Sequence, residues 1–187
     1  PMLRDLVTAT WYHGPDGMGE MNYPAPTTPL ASGHAVDALI NLIKANAGKV
    51  TLVTLGPLTN IATALLRAPE IAGMVTRCVV MGGAACHVGN VTPAAEYNIW
   101  VDPEAARIVF RSGLPLEMAG WETALGEANL SRADIDAVYA LGTPLAAFAI
   151  DCNIHALRSS TEWLGDPGLI LNDPVAMAIA LDPSIVT

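Results

Sequence analysis

Two hydrophobic periods alternate along the chain. Residues 34–46 set Val36, Leu39, Ile40 and Ile43 at helical spacing, which predicts a helix with one apolar face. Val50-Thr-Leu-Val-Thr-Leu55 is a β-branched apolar run and predicts a buried strand. Gly56-Pro57 turns the chain, and Pro57 suits the first turn of a helix running through Ile61, Ala64 and Leu65 to Arg67. A second strand is expected over 77–82. Asp102-Pro103-Glu104 marks a helix start, and Gly113 its end. Pro115 to Ala119 predicts a third strand. Helices follow at 131–141 and 144–157, and a last one opens at Asp173-Pro174 and runs to Leu181. Residues 12–33, rich in Gly and Pro, read as a long irregular segment of the kind that is often functional.

Strands alternating with helices predict an α/β fold, a parallel (or mixed) sheet flanked by helices. In such sheets ligands bind beyond the carboxyl ends of the strands. The segments placed there are Leu55-Gly56, Met81 to Asn98, and Gly120-Trp121-Glu122.

Composition narrows the class. With 187 residues, 52% of them hydrophobic, the chain has the apolar content for a single domain with a real core and does not read as disordered. Aromatics are scarce, so aliphatic side chains must fill the interior. No apolar run is long enough to span a bilayer, and no secretory signal is visible, so a cytoplasmic location is expected. A net charge of −9 argues against nucleic acid and anionic membranes as partners. It admits a neutral small ligand or a cation. Cys78, Cys86 and Cys152 are odd in number and contain no C-x-x-C pair, so they read as small buried thiols. The chain starts at Pro1 in loop-like sequence and stops at Thr187 with no capping element. Residues 1–187 therefore read as one incomplete domain.

The stretch from Met81 to Asn98 carries the chemistry. An apolar run turns at Gly82-Gly83 and then delivers Asn90, Glu96 and Asn98. Amides offer donors and acceptors, and a carboxylate accepts from two hydroxyls, so this set suits a polyhydroxylated ligand such as a sugar. Glu96 precedes a strongly apolar stretch, and a half-buried carboxylate needs partners. Asp173 reads either as a helix cap or as a carboxylate facing a cation or a hydroxyl. Trp121 reads either as core or as a stacking platform for a planar group. Gly56 to Asn60 reads on chemistry alone as a strand-to-helix turn. Nucleotide-binding glycine loops, a nucleophile elbow and a histidine metal motif are all absent from the sequence.

Taken in order, His13-Gly-x-x-Gly-Met-Gly19, Leu55-Gly-Pro-Leu-Thr-Asn60, Val80-Met-Gly-Gly83, Gly89-Asn90, Ala95-Glu-Tyr-Asn98, Asp102-Pro-Glu-Ala-Ala106 and Asp173-Pro174 resemble the inosine–uridine-preferring nucleoside hydrolases across nearly the whole chain. Each motif is weak alone; the ordered set is specific. The resemblance implies hydrolysis of the N-glycosidic bond of a ribonucleoside to ribose and free base. It implies one Ca²⁺ that orients the attacking water and the ribose hydroxyls, and an oxocarbenium-like transition state. By the same resemblance Leu55 offers its backbone carbonyl and Asp173 its carboxylate to Ca²⁺. Asn90, Glu96 and Asn98 bind ribose, Met81 lines the pocket beneath it, and His13 lies near the base. Trp121 and Tyr97 are the candidates for stacking on the base. Family members are homodimers or homotetramers, so a homo-oligomer is expected.

Two departures stand out. The family's amino-terminal D-x-D-P-G-x-D-D motif, which supplies the catalytic aspartate and most metal carboxylates, is absent from these residues. The chain reads as a fragment of the parent enzyme, expected to have little or no activity alone. Asn172 stands where many members carry a histidine that assists the leaving base, and Asn cannot act as a general acid. The rival expectations are a catalytically inactive nucleoside- or ribose-binding relative and a structural α/β subunit without a ligand.

Overall fold

The computed structural model describes residues 1–165 and 167–186, the Leu164 side chain excepted. The chain divides into two compact units. The first comprises Pro1–Leu6, Leu30–Thr123 and the stretch from Asn172 onward; the second comprises Val7–Pro29 and Ala124–Leu171.

The first unit is built on a parallel sheet of β1 (Val50–Thr54), β2 (Val75–Met81) and β3 (Leu116–Ala119), in that spatial order. Leu52 pairs with Cys78 and Thr54 with Val80; Cys78 pairs with Leu116 and Met81 with Ala119. This register brings the carboxyl ends of all three strands to one edge. Alternation then sorts the faces. Cys78 and Val80 point into a core shared with helices α2 (Ala35–Ala45), α3 (Thr59–Arg67) and α5 (Pro103–Phe110), where Val36, Ile43, Leu58, Leu65, Ala105 and Val109 are buried. Arg77, Val79 and Met81 point the other way, toward α9 (Asn172–Leu181). Arg77 donates to the carbonyls of Ile179 and Ala180, 3.0 Å each, and its Nε reaches Glu117 at 2.6 Å. A cation on the last carbonyls of α9 opposes the helix dipole there.

The predicted elements of this unit are present with shifted ends. Helix α3 starts after Leu58, so Pro57 lies in the turn and outside the helix. Helix α5 starts as expected, with the Asp102 carboxylate accepting the Ala105 N–H at 3.1 Å. It stops at Phe110, because Arg111 and Ser112 donate three residues back, to Ile108 and Val109, and tighten the last turn before Gly113. A short helix α4 (Tyr97–Val101) has no counterpart in the sequence reading. It is too short for a hydrophobic period and depends on its cap.

The second unit carries α1 (Thr10–His13), α6 (Arg132–Ala140), α7 (Pro144–Asp151) and α8 (Ile154–Leu164) around Ile135, Ile150, Ala156 and Leu169. The single helix expected over 144–157 is two helices. Asn153 interrupts it by turning its side-chain amide onto the Ala149 carbonyl at 3.0 Å, competing with the backbone ladder. The chain resumes as α8 and runs on to Leu164. Apolar residues continue across the break, so periodicity could not reveal it.

Helix α6 opens with a reciprocal capping box. Asp134 N–H donates to Ser131 Oγ, and Ser131 N–H donates to the Asp134 carboxylate at 2.9 Å. Ser131→Ala is expected to cost about 1 kcal/mol, a fall of roughly 2–4 °C in Tm by scanning calorimetry. An unchanged Tm would mean that the cap is idle.

The cysteine expectation is met only at Cys78, whose burial pushes its thiol up to about 11; Cys86 is exposed and Cys152 half-buried. No described helix is long and apolar enough to cross a membrane.

Candidate functional site

The first unit gathers most of the anticipated polar residues beyond the strand ends. β2 ends at Met81, and Gly83 follows with φ +85. A side chain there would also press on Met118 Sδ, at 2.9 Å, so the tight exit from the strand requires glycine. The chain then loops out and returns at Glu96.

Glu96 is only 2% exposed, and its carboxylate is wholly engaged with the backbone. One oxygen accepts the Asn98 N–H at 2.8 Å. The other accepts the Gly83 N–H at 2.8 Å and the Ile99 N–H at 3.2 Å. Glu96 thus caps α4 and ties both ends of the loop to the end of β2. Burial pushes its carboxyl above the usual range, against the pull of those three N–H groups. Asn98, likewise buried, donates its amide to the Met81 carbonyl at 3.2 Å and lies 3.2 Å from Met81 Sδ. Asn90 accepts the Tyr97 N–H at 2.9 Å through its side-chain oxygen.

Asp173 lies in the first turn of α9. As a residue it is exposed, yet protein atoms crowd its carboxyl and Glu96 adds a like charge, so it is pushed up to about 6. Asp173 and Glu96 therefore share one electrostatic environment. Leu55, just past β1, is 40% exposed. Two buried oxygens, Thr54 Oγ1 and Asn172 Oδ1, have no hydrogen-bond partner among the described residues. Orphaned buried acceptors are uncommon and call for an explanation such as an absent ion or ligand. Among the described residues no group of three or more His, Cys, Asp or Glu side chains is gathered to hold a metal.

Trp121 is buried at 5%, and its indole N–H donates to the Val88 carbonyl at 2.7 Å. The structure uses this ring as a brace for the loop, with His87 edge-on against it. His13 belongs to the second unit. There the neighbouring Tyr12 hydroxyl meets Ser160 Oγ at 2.8 Å, and Ser159 Oγ donates to the Tyr12 carbonyl at 3.2 Å.

Two residues escaped the sequence reading. Glu122 accepts the N–H groups of Ala85 and Cys86, and Thr54 contributes an orphaned hydroxyl. Glu122 was discernible only as part of a segment after a strand. Thr54 was hidden as a β-former at the end of an apolar run.

Comparison with known proteins identifies the family and the fold. The family model described as inosine-uridine preferring nucleoside hydrolase matches residues 1–187. The pyrimidine-specific ribonucleoside hydrolase RihA of Salmonella enteritidis PT4 is 39% identical over 188 residues, covering 100% of this chain and 60% of that protein. RihA of Salmonella typhimurium is similar at 39% and the same coverage. Among solved structures, the purine-preferring ribonucleoside hydrolase from Gardnerella vaginalis superposes with TM-score 0.87 and 34% identity, over 96% of this chain and 57% of that one. The plant nucleoside hydrolase PpNRh1 gives TM-score 0.90 and 30% identity, over 97% and 57%. The chain thus spans 60% of the length of the curated relatives it matches.

Proposed function

Because the chain belongs to the inosine-uridine preferring nucleoside hydrolase family, we propose that the protein it represents cleaves the N-glycosidic bond of ribonucleosides to ribose and free base, with Ca²⁺ as its metal. The observation that carries this reading is the gathering of Glu96 and Asn98 on the carboxyl end of β2, with Asp173 in the first turn of the helix packed against that strand. Two acids beside two amides make a site rich in acceptors, matched to hydroxyls and to positive charge.

Each group has a role its geometry supports. Asn98, held on the Met81 carbonyl, presents its amide oxygen to the sugar. Asn90 spends its oxygen on Tyr97 and keeps its NH₂ for a hydroxyl acceptor. Met81 forms the floor. Glu96 and Asp173 favour the oxocarbenium-like transition state by charge. Asn172 cannot protonate a leaving base, so departure rests on hydrogen bonding or on the base itself. Likeness to pyrimidine-specific relatives makes uridine and cytidine the first substrates to try, with inosine beside them.

The Leu55 carbonyl and the Asp173 carboxylate fit a hard cation, and the orphaned oxygens nearby fit an oxygen-rich surrounding. They form part of a shell, since Ca²⁺ takes about six to eight oxygens. Residues 1–187 by themselves are therefore expected to bind it weakly and to release little ribose. When bound, the ion supplies Lewis acidity that lowers the pKa of coordinated water. Asp173 must be ionised to act as a ligand. With its carboxyl at about 6, Ca²⁺ affinity should fall about tenfold from pH 7 to pH 5. Asp173→Asn should weaken binding and erase that dependence, as read by calorimetric titration with Ca²⁺ alone. Affinity that stays level across this range in the wild type would remove Asp173 from the metal site.

Ribose release by a reducing-sugar assay on the full native protein tests the function. Nucleoside binding without release would favour the binding-only reading. Neither binding nor release would overturn both.

A further inference from the structure

Residues 84–88 form an irregular stretch, and Ala85, Cys86, His87 and Val88 are all exposed. The bonds that hold it come from the segment following β3. Trp121 N–H donates to the Gly83 carbonyl at 2.9 Å, and the Trp121 indole holds the Val88 carbonyl. Between these two points one oxygen of Glu122 accepts two successive N–H groups, from Ala85 at 2.9 Å and from Cys86 at 3.3 Å. Successive N–H groups converging on one anion make a backbone nest, here filled by a side chain of the same protein.

The other Glu122 oxygen is buried and has no hydrogen-bond partner among the described residues. An exposed loop has no need of such a carboxylate for solubility, and leaving an acceptor oxygen unpaired is costly. The stretch it pins leads directly to Gly89 and Asn90. Gly89 is pressed against the Ala95 backbone, and Asn90 meets Tyr97. The position of Asn90 is therefore set from two sides, by the return of the chain at 95–97 and by Glu122 at 85–86.

Resting on the function proposed above, we propose that Glu122 is a positioning residue for sugar binding: it fixes residues 85–88 so that the Asn90 amide meets the ribose. Burial works against its charge, but its own N–H and those of Ala85 and Cys86, with His87 nearby, hold its carboxyl below the usual range. The pin stays charged at neutral pH.

The test uses Glu122→Ala and Glu122→Gln in the full native protein. Glu122→Ala should raise KM for uridine about tenfold while kcat stays within about threefold, because Glu96 and Asp173 are untouched. Glu122→Gln keeps an oxygen able to accept both N–H groups and should recover most of the loss. A merely structural role would lower Tm or the active fraction and leave KM in place. Amide exchange gives a readout free of substrate: exchange at Ala85, Cys86 and the Tyr97 N–H should accelerate in Glu122→Ala. Unchanged KM beside accelerated exchange overturns the proposal, as does unchanged exchange at Tyr97. If Glu122→Ala does not fold, the same two readings on Glu122→Gln decide it: a small rise in KM with faster exchange at 85–86 supports it, and an unmoved KM overturns it. If the wild type turns over no nucleoside, the function reading fails, while the exchange at Tyr97 still reports whether Glu122 positions Asn90.

Discussion

In the full native protein Glu96→Ala is expected to lower kcat/KM for ribonucleosides by roughly a thousandfold. Two losses combine. In the role proposed above the sugar loses a carboxylate that stabilises positive charge, and the N–H groups of Gly83, Asn98 and Ile99 lose their acceptor. Leaving three buried or half-buried donors unpaired costs on the order of 3 kcal/mol of stability. Glu96→Gln separates the two contributions. The amide fits the same space, but one end now presents N–H to N–H, so one side of the loop is released. A folded Glu96→Gln protein is expected to lose about a hundredfold in kcat/KM. If it keeps wild-type kcat/KM, the charge is irrelevant to the chemistry and Glu96 is only a cap.

The pH dependence of stability gives a second check. The Glu96 carboxyl is raised in the folded state, burial outweighing its three N–H partners. The stability it contributes is present below the unfolded pKa and is lost as pH rises through the folded value. Glu96→Gln should remove that part of the profile in denaturant titrations run across the acid range.

Gly89→Ala is the second large effect, and it is steric. A Cβ on Gly89 would fall well inside contact distance of the N, C and O atoms of Ala95. Backbone atoms cannot rotate aside as a side chain can, so the loop must open. Opening breaks the Thr92–Ala95 bridge and the bond from Val91 N–H to the Ala95 carbonyl at 3.2 Å, and it carries Asn90 away from Tyr97. With Asn90 in the sugar-binding role proposed above, a displacement of about 1 Å is enough for a loss of about a hundredfold in kcat/KM. Global stability should fall by only about 1–2 kcal/mol, because the loop lies outside the buried core of its unit. A Gly89→Ala protein with wild-type KM would show that the loop and its return are not packed as described.

The fold was legible where the hydrophobic pattern has a clear period. All three strands, their parallel direction and the main helices packed on them follow from short apolar runs separated by helical segments. The site was legible as a set of residue types after strand ends, and the match to the family gave those types an order. What stayed hidden was local and polar. The break at Asn153 rests on one amide competing for one carbonyl. Helix α4 exists because a buried carboxylate caps it, and five residues carry no period of their own. Trp121 could be read either way, and only its surroundings show an indole spent on Val88.

The division has one physical origin. Burial period, helix propensity and turn chemistry act over a few neighbouring residues, so a sequence states them directly. By itself it determined an α/β chain with an acid-and-amide loop after its second strand and an acidic helix start at Asp173. Convergence is a property of distance. Only the tertiary structure decided that Asp173, 77 positions beyond Glu96 in the numbering, shares its field. Only the structure decided that the carboxylate of Glu122 holds Ala85 and Cys86, and that Glu96 reaches back to Gly83. Those contacts close loops of many residues, and it is the packed sheet and its flanking helices that offset the entropy of closing them.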